Sequence, residues 1–152
     1  MRELTALLKK EISPALGVTE VGAIALASAR AAAAAEGNIK KIHVEMNGGM
    51  YKNAFSCAIP GTKELGCEMA ALLGAVCGDW TLGLECLKPV TEADADRVKG
   101  MGIDVTTAVD KSKEEIYILA EVETDKGTGK ALIEVKHSNI TKVWKDGEVI
   151  FE

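Results

Sequence analysis

Apolar residues recur at helical spacing through the first part of the chain. In the first dozen residues the positions on one helical face are Leu4, Leu7, Leu8 and Ile12. Pro14 ends this predicted helix, because its ring removes a backbone donor and disfavours helix at the preceding residue. A second helix is predicted to begin near Val18, with Thr19 as its cap, and to continue through an alanine-rich tract to Glu36.

Between residues 39 and 46, apolar and polar residues alternate, which is typical of a half-buried strand. The apolar positions of this strand are Ile42, Val44 and Met46. An Asn-Gly-Gly sequence at 47–49 marks a turn, and a second short extended stretch is predicted over 51–59.

The middle of the chain is predicted to be helical. A helix rich in small residues is expected over 63–77, and a further helical turn or two over 82–87. Thr91 begins a Thr-Glu-Ala-Asp sequence, which resembles a capping box without the usual Glu or Gln at its third position. The helix that follows is expected to stop near 100–102, where two glycines occur.

The last third alternates extended segments with turn sequences. The predicted strands are 103–109, 116–124, 131–137, 140–144 and 149–151. Lys-Gly-Thr-Gly at 126–129 and Asp-Gly at 146–147 predict hairpin connections. The pattern therefore predicts an α+β fold, in which N-terminal and central helices pack against a mostly antiparallel sheet formed largely by C-terminal hairpins. A chain of 152 residues fits a single domain, 1–152.

Composition and charge narrow the expected partners. The hydrophobic fraction is 47%, the charged fraction is 27% and the net charge is −5. Nucleic acids and acidic membranes attract clustered Lys and Arg, so neither is an expected partner. The chain has no apparent signal peptide, and its alanine-rich stretch is too short and too weakly apolar to span a bilayer. We therefore expect a cytoplasmic protein.

Four cysteines occur without close pairing. Cys57, Cys67, Cys77 and Cys86 are separated by nine or ten residues and form no Cys-x-x-Cys pattern. In the cytoplasm they should be reduced and should pack as small apolar side chains. No metal site is predicted within this chain.

Several separated motifs carry a family resemblance. The matching segments are PALGVTEV at 14–21, NGGMYKNAFSCAIPGT at 47–62, GLECLK at 83–88 and HSNI at 137–140. In this order they resemble the PALGCTEP, MKNG…PGT, GLEVLK and HTNI segments of the L-cysteine desulfidase family, which is related to the iron–sulfur L-serine dehydratase alpha chain. The resemblance implies that the chain corresponds to the N-terminal, substrate-side lobe of a longer lyase.

The resemblance also implies a cofactor that this chain does not hold. Members of that family bind a [4Fe-4S] cluster through cysteines in their carboxy-terminal half, and they release ammonia and pyruvate from cysteine or serine. In addition, the motif cysteine thought to take part in proton transfer is Val18 here, and valine cannot exchange a proton. No catalytic residue is therefore assigned, and the chain is not expected to be active alone.

The resemblance implies substrate-binding roles for eight residues. These are Thr19, Glu20, Lys52, Asn53, Gly61, Thr62, His137 and Asn139. Thr19 and Glu20 either hold a substrate at the start of a helix or simply cap that helix. Lys52 and Asn53 either contact substrate or are exposed loop residues. Gly61 and Thr62 form either an anion nest or a plain turn.

His137 and Asn139 are predicted to lie on one face of a strand, because alternate strand residues share a face. Facing the helices, they could bind a substrate carboxylate or amino group. The alternative is a histidine at a strand end with ordinary solvent contacts.

Three functions remain open from the sequence. The first is a lobe of an amino-acid β-eliminating lyase, whose partner is a cluster-bearing C-terminal lobe in the same or another chain and whose ligand is a small amino acid. The second is a non-catalytic binding or assembly domain of the same descent. The third is an unrelated α+β module. Homodimerisation through the small-residue face of the helix over 65–78 is the other expected assembly.

Overall fold

The computed structural model describes residues 19–59 and 62–152. The helix predicted for the first dozen residues, Val18 and Gly61 lie outside the described residues. The α-helices are α1 (Thr19–Ala35), α2 (Gly48–Ala54), α3 (Cys67–Cys77) and α4 (Glu92–Lys99), with a 3₁₀ helix at Trp80–Glu85. The strands are β1 (Ile39–Met46), β2 (Asp104–Val109), β3 (Tyr117–Thr124), β4 (Thr128–Glu134), β5 (Ile140–Lys145) and β6 (Glu148–Phe151).

The strands form a six-stranded sheet in the order β2-β1-β3-β4-β5-β6. Strands β3 to β6 are consecutive antiparallel neighbours, and β1 pairs antiparallel with β3. Only the pairing of β1 with β2 is parallel among the described strands. The helices lie in the N-terminal and central parts and the hairpins at the C-terminal end, so the predicted α+β fold is confirmed.

Helix α1 lies between the sheet and α3. Alanine and glycine make this close packing possible on both sides of the helix. On one side Gly129 of β4 lies against Ala31, and a β-carbon at Gly129 would also come within 2.7 Å of the Ala35 nitrogen. On the other side a β-carbon at Gly74 of α3 would lie 2.5 Å from the Ala25 α-carbon. The small-residue face of α3 is therefore covered by α1 of the same chain.

The core joins these layers. Side chains of α1, α3, the central strands and α4 form one buried cluster, in which Ile24, Leu73 and Ile118 are fully buried. Cys67 and Cys86 belong to the same cluster. No helix among the described residues is long and apolar enough to cross a membrane.

Three predicted elements differ from the structure. Residues 48–54, which were expected to be a turn and the start of an extended stretch, form α2. The helix predicted from residue 63 begins at Cys67, because 62–66 form a turn and a short bridge between Ala58 and Leu65. Strand β4 ends at Glu134, so His137 and Asn139 lie in the following turn and not on a strand.

The capping box at Thr91 is present despite the missing Glu or Gln. The Asp94 carboxylate accepts a hydrogen bond from the Thr91 backbone N–H at 3.0 Å, and the Asp94 N–H donates to the Thr91 hydroxyl at 3.3 Å. Aspartate has a shorter side chain than glutamate but fills the same role here. The start of α4 was therefore predicted correctly.

Candidate functional site

A pocket of about 530 Å³ opens where four separate segments meet. These segments are the start of α1, the beginning of α2, the loop before β3 and the turn after β4. Its lining residues are Glu20, Asn47, Gly49, Met50, Asn53, Glu114, Glu115, Ile116, Val135 and His137. The volume lies within the usual range for small-molecule sites.

Glu20 and Asn53 form the polar side of the pocket. Glu20 lies in the first described turn of α1, where a carboxylate is favoured by the helix dipole. The side-chain amide of Asn53, on α2, donates to Glu20 Oε1 at 3.5 Å. Burial and then the nearby Glu20 charge raise the pKa of the Cys57 thiol. The Glu20 carboxylate thus contacts an amide through one oxygen and has further acceptor sites for a ligand.

Asn47 fixes the position of α2 against the sheet. Its side chain is buried, and its Oδ1 accepts a hydrogen bond from the Tyr117 backbone N–H at 3.1 Å. Its own backbone N–H donates to the Tyr117 carbonyl at 3.1 Å. These two bonds join the end of β1 to the start of β3. Sequence reasoning treated Asn47 only as a turn residue, so this role was missed.

Three apolar residues also line the pocket. Met50 is buried, Ile116 is partly buried, and Val135 has 65% of its surface exposed at the rim. The Val135 backbone N–H donates to the Ile116 carbonyl at 3.4 Å, which connects the two loops. Val135 has a φ of 73°, a left-handed conformation that β-branched residues rarely adopt. Such strain is held by the surrounding structure and tends to occur at functional sites.

Replacing Val135 with asparagine is expected to raise the free energy of unfolding by about 1 kcal/mol, because asparagine tolerates the left-handed region. Urea denaturation of the two proteins measures the difference. The matched control is Val149→Asn on β6, also exposed but in a strand, where asparagine is disfavoured and stability should fall. Equal destabilisation by both substitutions would contradict strain at Val135.

The charge of the pocket is negative. Glu20, Glu114 and Glu115 contribute three carboxylates, and neither lysine nor arginine is among the described residues that line it. His137 is the remaining titratable lining residue. Carboxylates and amide oxygens accept hydrogen bonds from ammonium groups, and their negative charge favours a cationic ligand. The arrangement therefore suits a small molecule with a protonated amino group.

The structure brings together three of the eight predicted binding residues. Glu20, Asn53 and His137 line the pocket. Lys52 is exposed on α2 and Thr19 lies at the first described position of α1, but neither is a lining residue. Gly61 lies outside the described residues.

Thr62 and Asn139 make local contacts instead. The Thr62 hydroxyl donates to the Ile59 carbonyl at 3.0 Å and accepts from the Glu64 N–H at 3.0 Å, as in an ordinary turn. The Asn139 amide donates to the Glu134 carbonyl at 3.0 Å and closes the turn between β4 and β5. The sequence had predicted that His137 and Asn139 share a strand face. This prediction is wrong, because both residues follow the end of β4.

The cysteines form no cluster with other ligands. Within residues 19–59 and 62–152, no group of three or more His, Cys, Asp or Glu side chains is placed to hold a metal ion. Burial raises the pKa of Cys67 to about 11 and that of Cys86 to about 12. Both thiols are therefore protonated near neutral pH, as expected of buried apolar side chains.

Comparison with known proteins gives relatives that are much longer than this chain. A UPF0597 protein of Clostridium botulinum is 46% identical over 146 residues, which are 96% of this chain and 34% of the relative. UPF0597 proteins of Oleidesulfovibrio alaskensis and Dichelobacter nodosus are 37% and 32% identical. They are matched over 95% and 99% of this chain, and over 34% and 35% of their own lengths. The chain thus spans about a third of the length of the curated relatives it matches.

No family model and no solved structure matches the chain. The names of these relatives include neither serine dehydratase nor cysteine desulfidase. The assignment to the iron–sulfur lyase family, with the lyase terms that accompanied it, is therefore wrong. What the comparisons support is similarity to UPF0597 proteins over nearly the whole of this chain.

Proposed function

We propose that the described residues form a ligand-binding lobe of a longer protein, and that its pocket recognises a small amino acid through the protonated amino group. The observation that carries this proposal is the meeting of Glu20, Asn53 and His137 in one pocket. They come from α1, α2 and the turn after β4, far apart in sequence, and their side chains offer hydrogen-bonding groups of different kinds.

The chemistry of the pocket supports an amine in particular. An ammonium group bound to Glu20 makes a charge-assisted hydrogen bond, which is stronger than a bond between neutral groups. Asn53 donates to Oε1 of the same carboxylate at 3.5 Å, and its amide oxygen can accept a further hydrogen bond. The apolar residues Met50, Ile116 and Val135 give room for a short side chain. A free anion without an amino group would meet three carboxylates and be repelled.

The proposal concerns recognition alone. The β-elimination reaction and the iron–sulfur cofactor were implied by a family assignment that the relatives contradict, so neither is carried forward. Absence of activity in these 152 residues alone remains a prediction. A location in the cytoplasm also remains an expectation, supported by four cysteines that are free thiols.

Binding of L-alanine and L-lactate distinguishes amine recognition from general affinity for small carboxylates. The two compounds differ chiefly by the amino group, so L-alanine should bind this chain and L-lactate should not. In isothermal titration, Glu20→Gln is expected to weaken L-alanine binding about tenfold or more, since a hydrogen bond to a charged group is lost. Circular dichroism of each protein before the titration verifies that it is folded.

The matched control is Glu148→Gln on β6, which removes the same charge at an exposed position outside the pocket. Its affinity for L-alanine should equal that of the unchanged chain. The proposal fails if L-alanine and L-lactate bind equally, if neither binds, or if the two glutamine variants have the same effect.

A further inference from the structure

A second cavity, of about 370 Å³, adjoins the pocket that contains Glu20. The pocket and this adjoining cavity share lining residues from the loop before β3 and the turn after β4, which are Glu114, Glu115, Ile116 and Val135. The adjoining cavity is completed by residues of the same loop, the start of β3 and the end of β4, which are Ser112, Lys113, Tyr117 and Glu134. A ligand bound in the pocket can therefore continue into the adjoining cavity.

Lys113 gives the adjoining cavity a positive charge, whereas neither lysine nor arginine is among the described residues that line the pocket. Its Nζ lies 4.7 Å from the centre of the Tyr117 ring, a cation–π contact with another lining residue. No carboxylate within residues 19–59 and 62–152 forms an ion pair with Lys113. The neighbouring Asp110 carboxylate instead accepts from the Ser112 backbone N–H at 3.0 Å. The ammonium group therefore has donors available to a ligand.

Three glutamates line the same cavity and limit where an anion can bind in it. Glu114 and Glu115 are exposed, so water and salt screen their charges. Glu134 Oε1 lies 3.3 Å from the Thr141 hydroxyl, which donates to it. An anionic group in this cavity must therefore contact the Lys113 ammonium directly, where it makes a charge-assisted hydrogen bond.

We propose that the pocket and the adjoining cavity together bind a dipeptide, with its amino group at Glu20 and its terminal carboxylate at Lys113. This inference rests on the proposed function, because it retains recognition of the amino group at Glu20. A free amino acid carries its ammonium and carboxylate on one carbon atom, so its carboxylate stays in the pocket among three glutamates and no lysine or arginine. The pocket alone therefore pairs only one of the two charges of a free amino acid.

A dipeptide distributes its charges differently. Its first carboxyl group is a neutral amide, which removes the anion from the acidic pocket. Its terminal carboxylate lies about 7 Å from its amino group, since each extended residue spans about 3.5 Å. An ammonium in the pocket and a carboxylate in the next cavity are then part of one small ligand, and Ile116 and Val135, which line both spaces, offer apolar contact to its side chains.

Isothermal titration with L-alanyl-L-alanine and with its C-terminal amide tests the role of Lys113. The two probes have the same amino group and the same side chains, and they differ in the charge of the terminal group. The free dipeptide should bind about tenfold or more tightly than the amide, because the amide cannot make the charge-assisted hydrogen bond. It should also bind more tightly than L-alanine, whose carboxylate remains in the pocket.

Lys113→Gln should weaken binding of L-alanyl-L-alanine about tenfold and remove its advantage over the amide. Lys113→Arg keeps the charge and should retain most of that advantage. The matched control is Lys111→Gln, which removes the same charge from an exposed lysine two positions away that lines neither the pocket nor the adjoining cavity. It should bind the dipeptide as the unchanged chain does.

The dipeptide inference is overturned if L-alanyl-L-alanine binds no more tightly than its amide, if it does not bind, or if Lys113→Gln and Lys111→Gln bind it equally. Binding of L-alanine without any gain from the dipeptide would contradict this inference and leave the proposed function standing. N-acetyl-L-alanyl-L-alanine, which has no ammonium group, tests the proposed function separately. Binding of this acetylated probe as tightly as the free dipeptide would contradict recognition of the amino group at Glu20.

Discussion

Replacing Gly74 with valine should lower the free energy of unfolding by about 3 kcal/mol, because any β-carbon at this position overlaps the backbone of α1. The nearest atoms are the carbonyl and α-carbon of Ala25, which belong to a buried helix and not to a flexible side chain. The two helices would have to separate, and the alanine-rich faces between them would lose contact. Urea denaturation followed by circular dichroism measures the change.

The matched control is Gly100→Val at the end of α4. This glycine is exposed, has a φ of −86°, and a β-carbon there would lie 3.6 Å from the Arg97 carbonyl oxygen, an ordinary contact. We expect a change of less than about 1 kcal/mol, as is usual for surface positions. Similar losses at Gly74 and Gly100 would show that α1 and α3 do not pack as closely as described.

Cys86 and Cys67 should resist thiol reagents in the folded protein, whereas Cys77 and Cys57 should react. The thiolate is the reactive form, and burial raises the pKa of Cys86 to about 12. At pH 8 its thiolate fraction is then on the order of one in ten thousand, and the side chain is also closed to the reagent. Iodoacetamide labelling followed by peptide mass spectrometry should show Cys86 modified at least about a thousandfold more slowly than Cys77.

The unfolded chain provides the control for these rates. In concentrated urea all four cysteines should react at comparable rates, because the cause of the difference is burial.

The raised pKa values of Cys67 and Cys86 also make the free energy of unfolding depend on pH. Because the unfolded chain loses these thiol protons first, the contribution of the two protonated thiols to stability is present below about pH 9. It declines as the pH rises toward the folded-state values of about 11 and 12. Rapid labelling of Cys86 in folded protein is the result that would contradict its position in the core.

The C-terminal hairpins could be predicted because their signals are local. The Asp146-Gly147 pair joins β5 to β6, and both residues have positive φ, 50° and 85°, as the predicted two-residue turn requires. Strands β3 and β4 alternate between buried and less buried residues, as a sheet with one covered face imposes. From β3 to β6, each strand pairs with the next strand in the sequence, and short connections join them.

The parallel pairing of β1 with β2 and the short helix α2 could not be predicted in the same way. Helix α2 begins with two glycines, which are poor helix formers, and tertiary contacts of Met50 and Ala54 with the core outweigh that propensity. The parallel pair depends on residues that are distant along the chain, so no local spacing indicates it.

The candidate site was predicted in part. Glu20, Asn53 and His137 were identified from motifs, although the family assigned to those motifs was wrong. Asn47 and Val135 were missed, because a buried turn amide and a strained valine are recognisable only once their neighbours are known. Asn139 was identified from the same motif as His137, but the strand face expected to bring the two together is absent because β4 ends at Glu134.

The parallel β1–β2 pair also has a consequence for the order of assembly during folding. The pairing of Lys41 with Asp104 closes a loop that contains α2, α3, the 3₁₀ helix and α4, whereas the hairpins from β3 to β6 close over a few residues. Loop closure costs more entropy as the loop lengthens, and contacts distant in sequence form slowly. We therefore expect the meander of β3 to β6 to form early and to serve as a template for β1. The β2 edge would join last, after the intervening helices have docked on α1.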